Sequence, residues 1–225
     1  MRLKDYDERG GKRVWLGEKE LHLLIENADP RTEPQIALRL MGRSGLRRQE
    51  VVDVTFADLV EDPDVGHLVR VWDGKGDKYR ETPVPQEVAT MARTLRLAES
   101  RDPDDTVITV DASTLYDWVA RARGRAREEY PDEGWQYVGP HDLRRSWGVR
   151  LLEAGVLPSV VMDWGGWASW QTFRDHYLAE FSPEALRRER GKVGWLAEGG
   201  QDEDVGRSNP GYAAVDPGSR HGGRR

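Results

Sequence analysis

Near the start of the chain, apolar positions recur at helical spacing. In 17–28 (GEKELHLLIENA) they fall at Leu21, Leu24 and Ile25, and in 34–43 at Ile36, Ala37, Leu40 and Met41, with Gly45 stopping the second run. From Gln49 to Leu59 the pattern predicts a third short helix or a turn. The rhythm then changes. Residues 67–73 (HLVRVWD) and 79–85 (YRETPVP) alternate as strands do, and the glycine-rich Gly74-Lys75-Gly76-Asp77-Lys78 between them predicts a β-hairpin turn. Helical spacing returns from Gln86 to Ala98, and Val107 to Val110 reads as a short extended piece.

The second half is almost wholly helical. Ser113 at an N-cap predicts a helix over 114–129. Pro140 precedes a helix over 141–154 that Gly155 stops, and Pro158 opens another over 158–164. A further helix is predicted over 170–180, and Ser182-Pro183-Glu184 is an N-cap with proline at the first helical position, opening a last helix that ends near Ala197. Residues 198–225 hold few large apolar side chains and much glycine, proline and charge, so a disordered tail is expected there. The expected architecture is one α+β domain over 16–197, mainly helical, with a small antiparallel sheet on one edge and a charged N-terminal arm at 1–15.

Composition narrows the chemistry. A chain of 225 residues can bury one good core. Cysteine is absent, which excludes disulfides, thiolate metal sites and cysteine nucleophiles. No apolar run approaches a membrane span or a secretory signal, so a soluble, cytoplasmic protein is expected. The net charge of −6 argues mildly against nucleic acid, yet arginines cluster at Arg47-Arg48, from Arg121 to Arg127, at Arg144-Arg145 and from Arg187 to Arg190. A bipolar surface with one basic face is compatible with a polyanion.

Four segments could carry function, and each also has a plainer reading. In His141-Asp142-Leu143-Arg144-Arg145, helical spacing puts His141 and Arg144 on one face; an imidazole beside a permanent cation suits a phosphodiester, but a capping histidine and solvated arginines fit as well. In Gly45-Leu46-Arg47-Arg48-Gln49-Glu50, Arg47 follows a helix-breaking glycine and Glu50 can orient a neighbouring cation; an ordinary surface turn also fits. The turn Gly74–Lys78 lacks the P-loop spacing and joins strands instead of opening a helix. Two of the chain's six lysines sit in it, which hints at a group that must give up a proton. Finally, Trp164-Gly165-Gly166-Trp167 precedes Phe173-Arg174-Asp175-His176-Tyr177, where the aromatics read equally as core.

In chain order these segments run G-L-R-x-x-E, G-K-G-x-K-x-R, H-x-L-R-R, G-G-W and then Tyr. From about Leu16 to Ala197 the order resembles the tyrosine recombinase (phage integrase) family. The resemblance implies a catalytic set of Arg47, Lys75, His141, Arg144, Trp167 and Tyr177, with Glu50 in a supporting acidic position. Trp167 stands where many members have histidine, a variant that suggests packing or an indole hydrogen bond there. Two departures stand out. The interval from Trp167 to Tyr177 is one residue longer than usual, which a loop is expected to absorb. Most members also carry a helical core-binding domain ahead of the catalytic one, whereas here the first catalytic helix begins near Gly17, so a catalytic domain without that partner is expected.

The resemblance further implies site-specific recombination of double-stranded DNA through a covalent 3′-phosphotyrosine, with no cofactor and no metal, by a homo-oligomer (a tetramer on paired sites) that involves no membrane. Two other activities fit the same residues: type IB topoisomerase-like DNA relaxation, and a non-catalytic DNA-binding regulator related to integrases.

Overall fold

In a computed structural model of the protein, residues 1–6, 10–73, 78–174 and 183–196 are described. They belong to two compact units, Met1–Ser182 and Pro183 onward. The first residues of the chain pair with one another: β1 (Arg2–Asp5) and β2 (Lys12–Trp15) form an antiparallel hairpin with Leu3 opposite Val14. This is a second small sheet, in a stretch expected to be a charged arm. Only Val14 and Trp15 go fully inside, so no alternation of apolar positions advertises it.

The helices α1 (Glu18–Glu26) and α2 (Thr32–Arg43) follow as expected. The ambiguous 49–59 stretch resolves into α3 (Arg48–Asp53) and a 3-10 turn at Phe56–Asp58. The main sheet has the order β3-β4-β5, from β3 (Leu59–Asp62), β4 (Gly66–Asp73) and β5 (Lys78–Pro83), all antiparallel. The edge strand β3 is short and nowhere fully buried, which leaves it without a strand signature in sequence. After α4 (Gln86–Glu99), residues 107–110 form no strand; a single bridge joins Thr106 to Thr55.

Helix α5 (Ala112–Glu129) starts two residues earlier than a cap at Ser113 implies. Asp111 is the cap, because its carboxylate accepts from both the Ser113 and Thr114 backbone N–H groups, at 2.9 and 3.0 Å, and the Ser113 hydroxyl itself donates to that carboxylate. Then come a 3-10 turn at Glu133–Tyr137, α6 (Pro140–Glu153), α7 (Pro158–Gly165) and α8 (Trp170–Phe173). In the second unit, α9 (Pro183–Gly191) is followed by a 3-10 turn at Gly194–Leu196. The expected tail lies outside the described residues. Among those described, no helix is long and apolar enough to cross a membrane.

Helix α6 is buried along most of its length, charged residues included. Leu143 joins the main core, and Val149 and Leu152 join a second cluster with Trp15, Val161 and Phe173. The polar residues of α6 satisfy the chain beside them. Asp142 accepts from the backbone N–H of Val14 (3.2 Å) and Gly139 (3.0 Å) and from the Arg145 guanidinium, while Ser146 Oγ accepts from Leu16 N–H at 2.8 Å. Burial pushes the Asp142 carboxyl above its usual range, against the pull of Arg145 and those amides.

Gly45 ends α2 with a positive φ of 71° and lies flat against the Trp147 indole of α6. A Cβ there would enter the ring, and the left-handed backbone disfavours any L side chain. Gly45→Ala should therefore destabilise the domain by roughly 2–4 kcal/mol. Urea denaturation tests this, and an unchanged midpoint would mean that α2 and α6 are not in such close register.

Candidate active site

The turn between α2 and α3 and the first turn of α6 enclose an open cleft of about 430 Å³, lined among others by Arg47, Arg48, Gln49, His141 and Arg144. Both walls follow from local sequence. Gly45 allows the chain to reverse, which sets Arg47 at the N-terminus of α3 with extended backbone (φ −72°, ψ 154°). Pro140 opens α6, so His141 lies in its first turn, exposed, and Arg144 lies one turn later on the same side.

Below the cleft sits Glu50, 8% exposed and ringed by arginines. Its carboxylate accepts from Arg47 twice, from the backbone N–H at 2.6 Å and from Nη1 at 2.5 Å. From β5, Arg80 donates both Nη groups to it, at 3.0 and 2.7 Å, and Arg144 Nη1 lies 3.9 Å away. Burial alone would raise this carboxyl. The Arg80 hydrogen bonds and charge, with the Arg47 amide and Arg144, overcome that and hold it at about 2.

The folded value lies below the ordinary one of 4.5, so the stabilisation is complete above about pH 4.5 and is lost as pH falls toward 2. It amounts to about 3 kcal/mol. The stability gap between wild type and Glu50→Gln should therefore narrow between pH 7 and pH 3. An equal gap in urea melts at both pH values would show that the carboxylate charge is not what matters.

Arg144 is 1% exposed. Its guanidinium donates to the carbonyls of Gly45 and Gly165, and its carbon lies 4.5 Å from the centre of the Trp167 ring. Trp167 in turn stacks on Trp147 (6.0 Å, 28°) and touches Phe173. Gly165 is tightly fitted, since a Cβ there would enter the Trp167 ring. Arg47, His141 and Arg144 thus share one cleft, with Glu50 behind Arg47 and Trp167 beneath Arg144. Lys75 and Tyr177 lie outside the described residues.

Two residues at the site were not singled out from sequence. Arg80 is the last letter of the G-K-G-x-K-x-R string, and its signal was available: it stands opposite Val71, on the inward face of the sheet, where a cation needs a partner. Tyr116, from α5, lines the cleft as a half-exposed phenol and carries no sequence signal. Among the described residues, no three His, Asp or Glu side chains gather as metal ligands.

The model of the phage integrase family matches residues 14–183. Among curated proteins, the chain is similar to tyrosine recombinase XerA of Pyrococcus furiosus, 28% identical over 177 residues, which is 77% of this chain and 60% of that protein. It is also similar to tyrosine recombinase XerD of Neisseria meningitidis serogroup B, 31% identical over 145 residues, 60% of this chain and 46% of that protein. Among solved structures, a crystal structure of XerA recombinase superposes with a TM-score of 0.64 at 24% identity, over 80% of this chain and 64% of that one. The chain thus spans about half to two thirds of the length of these relatives.

Proposed function

The chain belongs to the phage integrase family, and from that premise we propose that it is the catalytic domain of a tyrosine recombinase, which cuts and rejoins duplex DNA at specific sites. The observation that supports this best is the shared cleft of Arg47, His141 and Arg144, two guanidiniums and an imidazole gathered where a phosphodiester fits. Tyr177 Oη attacks the scissile phosphorus, forming a 3′-phosphotyrosine and breaking the bond to the 5′-oxygen. A phenol with an ordinary pKa near ~10 must lose its proton as that bond forms, and His141 receives it. Arg47 and Arg144 stabilise the non-bridging oxygens, where negative charge builds. Lys75 protonates the departing 5′-oxygen. The phosphotyrosine conserves the bond energy, so a 5′-hydroxyl from a second duplex reverses the step, within a tetramer on paired sites.

The direct test incubates the protein with a pool of nicked duplexes and looks for protein–DNA adducts that survive denaturing electrophoresis. No adduct with any duplex would favour a DNA-binding regulator. Adducts without strand exchange between two labelled duplexes would favour topoisomerase-like relaxation. The general acid has its own test. Lys75→Arg should be nearly as damaging as Lys75→Ala, because a guanidinium with a pKa above ~12 does not donate its proton. A 5′-bridging phosphorothiolate, whose thiolate leaves unprotonated, should rescue both variants; failure to rescue would reduce Lys75 to a phosphate contact.

A further inference from the structure

We propose that Arg80 is a positioning residue for strand transfer: it clamps Glu50 to the last turn of α7, and so sets both the aim of Arg47 and the seat of Arg144. The role in strand transfer rests on the recombinase reading above, whereas the clamp itself can be tested without it.

Arg80 is 8% exposed and does not line the cleft, so it acts through other residues. Its guanidinium is fully directed. Two Nη groups form a fork onto the two oxygens of Glu50, and Nε donates to the Trp164 carbonyl at 3.0 Å. The next carbonyl along α7, that of Gly165, accepts from Arg144. Adjacent carbonyls at one helix end therefore hold the two buried arginines, and a shift in one moves the acceptor of the other. Gly166 closes that helix with φ 63°, and a Cβ there would stand 3.0 Å from the Arg80 stem, so the turn is packed against the side chain as well as bonded to it. In sequence, β5 begins directly after the turn that carries Lys75. The same arginine thus ties β5, the helix start that carries Arg47, and the helix end beneath Arg144.

Lysine cannot replace this fork, since one ammonium on a flexible stem cannot serve two carboxylate oxygens and a carbonyl at fixed angles. Loss of Arg80 also changes what Glu50 does. The groups facing that carboxylate are Arg47 at its own helix start, Arg80 from β5, Arg144 from α6, and Asp53, Asp58 and Arg70 around an adjoining small cavity. With Arg80 gone, burial and the neighbouring aspartates favour the protonated form, and Arg47 loses a charged partner in weak acid.

The test uses the full chain with Arg80→Lys and Arg80→Gln, each alone and combined with Glu50→Gln. Titration of the Glu50 carboxyl by carbon-detected NMR should place it well below an ordinary glutamate in wild type and move it upward in both single variants. At saturating DNA, adduct formation should slow roughly 10- to 100-fold, the scale of a misplaced reacting group, with DNA affinity retained. Arg80→Gln should acquire an acid limb in its pH–rate profile that wild type and the double variant with Glu50→Gln both lack. An ordinary Glu50 titration in wild type would overturn the proposal, even if every Arg80 variant misfolds. So would a rate loss that merely tracks the folded fraction, with no acid limb. If wild type itself forms no adduct, the recombinase reading fails, and the titration still decides whether Arg80 holds Glu50.

Discussion

Tyr177→Phe is expected to leave the fold and the DNA affinity in place and to abolish covalent adducts. Only the phenol oxygen is removed, and no other atom of that side chain can become a phosphate ester. On the proposed mechanism, residual catalysis by the cleft would not help, because the arginines would stabilise a displacement that no longer has a nucleophile. The half-exposed Tyr116 makes a control necessary, since it brings a second phenol to the cleft. Tyr116→Phe should retain adduct formation. Adducts from Tyr177→Phe, together with their loss in Tyr116→Phe, would transfer the nucleophile to α5.

Arg144→Ala should fail in two ways that can be measured apart. Removing the guanidinium deprives the buried carbonyls of Gly45 and Gly165 of a donor, empties the space over Trp167 and takes away one of the charges facing Glu50. Breaking so buried a network costs about 3–5 kcal/mol of stability. Among molecules still folded, loss of a donor to the transition-state phosphate should slow adduct formation by a further 10²- to 10³-fold, on the order of an oxyanion-hole deletion. Stability is read from denaturant melts and rate from adduct yield per folded molecule. A variant that melts like wild type yet cleaves poorly would mean that Arg144 serves the phosphate alone.

Most helices of the main unit were legible because they bury one face at regular spacing and are bounded by Gly or Pro; the short α3 was left open between a helix and a turn. Helix α6 shows the limit of that logic. Asp142, Arg144 and Arg145 are all buried, so its periodicity says little about which side faces the core. The N-terminal hairpin and β3 escaped notice for a related reason. Their inward positions are few, and part of what holds the hairpin lies far away in sequence, as when Val14 N–H meets the Asp142 carboxylate. Of the residues that the family resemblance picked out, Arg47, His141 and Arg144 line one cleft, with Glu50 and Trp167 against them; Gly45 and Pro140 fix the two helix starts that bring Arg47 and His141 there. The resemblance did not show that Glu50 is shared. That fact needs three dimensions, since the pairing with Arg80 spans 30 residues and two element types.

The two guanidiniums on the end of α7 have a consequence for ionic strength. A helix C-terminus is a partial negative charge, and here it is neutralised from inside the protein by Arg80 and Arg144. Counter-ions screen exposed charges within roughly 8–10 Å but hardly reach buried pairs. Added salt should therefore weaken capture of a polyanion steeply while leaving the inner arrangement intact. In concentrated brine the chain would lose its grip before it lost its shape.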